Sequence, residues 1–71
     1  MNPEDTKTLR LLATQKAQEM WASFAENERN ICRFGMLPAT KMQLAVAQGY
    51  DSKLLAVALF DCAQKDGGMI A

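Results

Sequence analysis

Histidine is absent from this chain. That removes the one side chain whose ordinary pKa suits general base work near neutrality, and with it the commonest metal ligand. Only two cysteines occur, Cys32 and Cys62, too far apart in sequence to form a zinc knuckle. No glycine-rich phosphate loop and no nucleophile elbow is present. Glu26 and Glu28 lie close in sequence, but two helical steps set them about 200° apart, so they do not converge as an acid–base pair. The inventory predicts a protein that is not an enzyme and that holds neither cofactor nor metal.

Long apolar runs are missing as well. The longest, Leu54 to Phe60, falls far short of the roughly 20 residues that a membrane span requires. The residues Met1-Asn2-Pro3-Glu4-Asp5-Thr6-Lys7 contain no secretory apolar segment, and the expectation is a cytoplasmic protein with reduced thiols and no membrane partner. Charge of either sign is not in excess: lysine plus arginine number eight, aspartate plus glutamate eight. The balance holds locally, with five of each in residues 1–33 and three of each in residues 34–71. Neither half offers the basic surplus that neutralising several phosphates demands, which places nucleic acid behind protein as the expected partner.

What the chain does have is apolar content, 49% of its 71 residues. This fits a single folded domain spanning residues 1–71 and excludes disorder. A chain of this size buries only about 60% of its unfolded surface, so a lone monomer is marginal. Small folds compensate with disulfides, a metal or a second subunit. The first two are disfavoured by the residues available, and a helical homodimer is the expectation that remains.

Periodicity predicts an all-α fold: one long N-terminal helix followed by two shorter ones. Asn2 suits an N-cap, Pro3 the first helical position, and Glu4 and Asp5 the positive end of the dipole. Leu9, Leu12, Ala13, Ala17, Met20, Phe24 and Ile31 then fall on one stripe. Arg29 and Arg33 favour a C-terminus and Gly35 its left-handed cap. The first helix is therefore expected over about residues 3–33, with a potential break within Glu26 to Asn30. The second is expected over about 38–48, from Pro38 to a stop at Gly49, and the third over about 52–65, capped by Asp51 or Ser52 and ended by Gly67-Gly68. Residues 66–71 form a tail.

The third helix is unusual, because Leu55, Ala56, Ala58, Leu59, Phe60, Cys62 and Ala63 cover about 200° of its circumference, with Val57 beyond. So broad an apolar arc calls for cover on most sides. Trp21, Phe24, Leu55, Leu59 and Phe60 are the residues this reasoning assigns to an interface with a second subunit or a protein partner. Trp21, at the edge of the first stripe, is read either as core-edge packing or as an interface anchor, since tryptophan is enriched among hot spots. Met20, Met36, Met42 and Met69 serve as core filler or line an adaptable groove. Cys32 and Cys62 are expected to be inert thiols: Arg29 and Arg33 would lower the pKa of Cys32, but a place at a helix C-terminus opposes a thiolate.

The segment from Met42 to Leu59 resembles the generic helix-turn-helix pattern. Leu44-Ala45, then Gly49 and Tyr50, and later Leu55 and Ala58 occupy its apolar, small, glycine and apolar positions. Gln48 departs from it, standing where an apolar residue is expected. The resemblance implies a DNA-binding transcription regulator. The face that would enter the groove carries Asp51, Ser52, Lys53, Ala56, Val57 and Phe60, which are poor in base-reading donors. The expected function is thus a non-enzymatic helical interaction protein that self-associates and regulates or inhibits a protein partner by occupying its surface. The helix-turn-helix regulator is the alternative.

Overall fold

A computed structural model describes residues 3–67, with side-chain environments for residues 6–67. Asn2, Gly68, Met69 and the rest of the tail beyond Gly67 lie outside the described residues, as do the side chains of Glu4 and Asp5. The described chain is all-helical, with α1 over Pro3–Ser23, α2 over Glu26–Arg33, α3 over Ala39–Ala47 and α4 over Ser52–Lys65. No strand occurs among the described residues.

The expected long first helix is two helices, and the break falls at Phe24-Ala25, just ahead of the acidic segment where one was anticipated. Three local interactions account for its place. The Ser23 hydroxyl donates to the Met20 carbonyl at 2.9 Å. Arg29 Nε donates to the Trp21 carbonyl at 3.1 Å, and a second guanidinium nitrogen to the Ala22 carbonyl at 3.4 Å. Arg29 therefore caps the end of α1 from the next helix, serving carbonyls that have no partner within their own helix. The Glu28 carboxylate in turn accepts the Ala25 N–H at 2.8 Å, which starts α2. That hydrogen bond, and after it the nearby Lys41 ammonium, holds the Glu28 carboxyl below its ordinary pKa. The sequence signal for the break was Glu26 and Glu28 themselves, since acids cluster in a first turn.

The later elements lie within a residue of expectation. Gly35, at φ 87°, closes α2, and the next residue returns a hydrogen bond from Met36 N–H to the Ile31 carbonyl at 3.0 Å. Pro38 takes the N-cap position of α3, immediately ahead of its first turn. Gly49, at φ 105°, makes the turn into α4, with the Tyr50 N–H donating to the Ala45 carbonyl at 3.2 Å. Of the two expected caps the structure uses Asp51, whose carboxylate accepts the Leu54 N–H at 2.9 Å.

α4 is the central element, lying mainly against α1 and then against α2, with α3 making the lightest contact. The core joins Ala17, Met20, Phe24, Cys32, Ala45, Leu55, Leu59 and Ala63. Alanines at 17 and 63, both fully buried, let α1 and α4 approach closely. The cost is a thin core, in which Leu55, Leu59 and Cys32 are the largest side chains wholly removed from solvent. The apolar stripe of the first helix narrows accordingly. Ala13, Ala17, Met20 and Phe24 face inward, whereas Leu12 is 43% exposed and Leu9 and Ile31 are only half-buried. Leu12 lies one residue, about 100°, off the line that Ala13 starts.

Candidate interaction surface

On α1, Arg10, Thr14, Gln18 and Trp21 recur at helical spacing along one side, next to the buried line. On α4, Leu54, Val57, Ala58, Asp61, Cys62 and Lys65 do the same. Between these two ridges lies an open groove of about 850 Å³, which Asp66 also lines. Its α4 wall runs from Leu54 to Lys65, about 16 Å at the helical rise of 1.5 Å per residue. The floor is apolar, built of Trp21, Leu54 and Ala58, with Val57 on the α4 wall, and the rim carries Arg10, Gln18, Asp61 and Lys65. Thr14 contributes little polarity, because its hydroxyl is donated back to the Arg10 carbonyl at 2.9 Å.

The electrostatics of the rim are mixed and local. Lys65 pairs with Asp61 at 2.9 Å, one turn apart and both well exposed. Arg33 pairs with Asp66 at 3.0 Å and with Glu26 at 2.6 Å, linking α2 to the end of α4. Two cations flank Trp21: Arg29 lies 5.9 Å and Arg33 5.7 Å from the ring centre. Trp21 also meets Phe24 at a ring separation of 6.2 Å. The tryptophan is thus pinned at the groove floor, half-buried, by residues of α2 that the sequence reading had placed on its own helix.

The residues expected to form an interface divide sharply. Leu55 and Leu59 are 0% exposed and Phe24 is 4% exposed, all three covered by the chain's own helices. For these three the surface assignment is corrected: α1 and α2 lie over that side of α4, and the inner face of the helix is filled from within. Trp21 and Phe60 are half-buried, Trp21 in the groove and Phe60 outside its lining. Val57, which lies beyond the apolar arc and is not in the expected interface set, is 67% exposed on the groove wall. It stands about 160° from Leu59 around α4, too far to share one buried face. Further exposed apolar side chains are Phe34 and Met36 in the α2–α3 connector, Leu44 and Val46 on α3, and Leu11 on α1. Among the other methionines Met20 is buried and Met42 half-buried.

Both cysteines are free thiols. Burial pushes the Cys32 thiol up, and the neighbouring Cys62 and Glu28 push the same way, outweighing Arg33. Burial likewise raises Cys62, with Asp61 adding to it. No group of three or more acidic or cysteine side chains disposed to hold a metal occurs among the described residues. No helix among them is long and apolar enough to cross a membrane. Comparison of the chain with protein-family models, with curated proteins and with solved structures gives no match.

Proposed function

We propose that this chain is a non-enzymatic helical interaction module that self-associates and regulates or inhibits a protein partner by occupying its surface. The observation that carries the reading is the α1/α4 groove, an apolar valley three helical turns long with Val57 two-thirds exposed on its wall. A valley of that length and openness matches a helix laid along it better than a compact ligand, which would be enclosed on most sides. The thin core adds a reason for association, since burying Val57 and Leu54 between chains supplies apolar contact that the single chain does not make.

The helix-turn-helix alternative is favoured by one feature, the α3–α4 corner with Gly49 at its turn. Against it, α4 and its cap expose Asp51, Lys53, Asp61 and Lys65, two anions and two cations, which gives no net positive face to meet phosphates. Retention on heparin that falls steeply with salt would support this alternative instead.

The test of the main reading is the solution mass, by light scattering, of the wild-type chain and of Val57→Asp, with helicity measured alongside. The reading expects a wild-type mass above that of one chain and a monomeric, fully helical variant. A wild-type protein that remains monomeric at high concentration would refute self-association.

A further inference from the structure

We infer that Cys32 and Cys62 are a closable dithiol, a redox site at which a low-molecular-weight disulfide is exchanged for a bond tying α2 to α4. Cys32 is the one buried residue of α2, and α2 lies mainly against α4, so its thiol is turned toward that helix. On α4, Cys62 is half-buried and packs against the core cluster to which Cys32 belongs. The two helices are pinned together at this end. Arg33, next to Cys32 in sequence, pairs with Asp66 at 3.0 Å, and Asp66 follows Cys62 by one helical turn. Electrostatics point the same way. Cys62 raises the Cys32 thiol more than Glu28 does, although Glu28 stands one turn away on the same helix. A charge acts more strongly the nearer it is, so the Cys62 sulfur is a close neighbour.

The two thiols differ in access. Cys32 is 0% exposed, while Cys62 lines the open groove, and exchange therefore starts at Cys62. Its thiolate attacks one sulfur of the small disulfide, expels the other as a thiolate and forms a mixed disulfide. The Cys32 thiolate then attacks the Cys62 sulfur and releases the second small thiolate. Two protein S–H bonds are exchanged for one S–S bond. The small disulfide is reduced to two thiols, which take up the two protons. Burial keeps both protein thiols protonated at neutral pH, so the exchange is slow and quickens as the pH rises. The bond closes a loop of about 30 residues, from 32 to 62, across a core in which few large side chains are fully buried. It gives a small chain a covalent staple, and gives it only under oxidising conditions.

Equilibration with oxidised and reduced glutathione tests the site, on the wild-type chain folded in buffer and unfolded in urea. Samples are quenched with acid, and mass spectrometry of linked peptides identifies the bond. The factor by which the bond stabilises the fold is the factor by which the fold favours the bond. The native closing constant is therefore expected to exceed the unfolded one about a hundredfold. Cys32→Ser is expected to stop at the mixed disulfide on Cys62. A native constant equal to or below the unfolded one means that the fold holds the sulfurs apart, and overturns the proposal. A wild-type chain that ends as the mixed disulfide, or as a covalent dimer through Cys62, overturns it as well.

Discussion

The two faces of α4 have nearly the same chemistry and opposite destinations. On the inner face Leu55, Leu59 and Ala63 are wholly buried against α1 and α2. On the outer face Leu54 and Ala58 are half-covered and Val57 is two-thirds exposed, forming one wall of an open groove. Apolar character alone does not tell these faces apart. What separates them is the position of α1, whose buried Ala17 packs in the core with the inner face of α4. Folding uses the inner face, and association is proposed to use the outer one.

Truncation of the inner face should give the largest effect. Leu59→Ala is expected to lower the unfolding free energy by about 2–5 kcal/mol, because a wholly buried leucine leaves a cavity in a core with little else to fill it. Chemical denaturation followed by circular dichroism measures this; a loss below about 1 kcal/mol would mean that the inner face is not the core.

The cysteines sharpen the same contrast with a smaller effect. Cys32 is fully buried, whereas Cys62 lines the groove. Burial raises both thiols, so in the native protein both remain protonated at neutral pH and react slowly, faster as the pH rises. Cys62 is expected to be alkylated about tenfold faster than Cys32, and its rate to fall as the protein concentration increases and the groove is covered. Mass spectrometry of timed samples reads both sites. Equal rates, or a Cys62 rate indifferent to concentration, would erase the distinction between a closed face and an open one.

Much of this architecture was legible in the residues. The all-helical class, the Gly49 turn and the limits of α3 and α4 follow from caps and breakers whose effect is local. The break between α1 and α2 was misplaced because the side chain that caps α1, Arg29, acts from beyond the gap, and periodicity carries no trace of such a return. The groove was half legible. Trp21 stands out at the edge of the stripe, but the apolar faces of the first and third helices also assign Phe24, Leu55 and Leu59 to an interface, although the chain buries all three itself, and leave Val57 outside it, although Val57 is exposed. An arc of about 200° states how much cover a helix needs, not which part its own chain provides.

Trp21 is the only tryptophan of the chain and lies in the floor of the groove, which makes it a direct reporter of whether that groove is covered. Its emission and its quenching by acrylamide should be followed as the pure protein is diluted from submillimolar to nanomolar concentration. If a second copy fills the groove, dilution will shift the emission to the red and increase quenching along a dimer-to-monomer isotherm, and Val57→Asp will show the diluted signature at every concentration. Emission and quenching that stay constant across the whole range, with wild type and variant alike, would contradict the central claim.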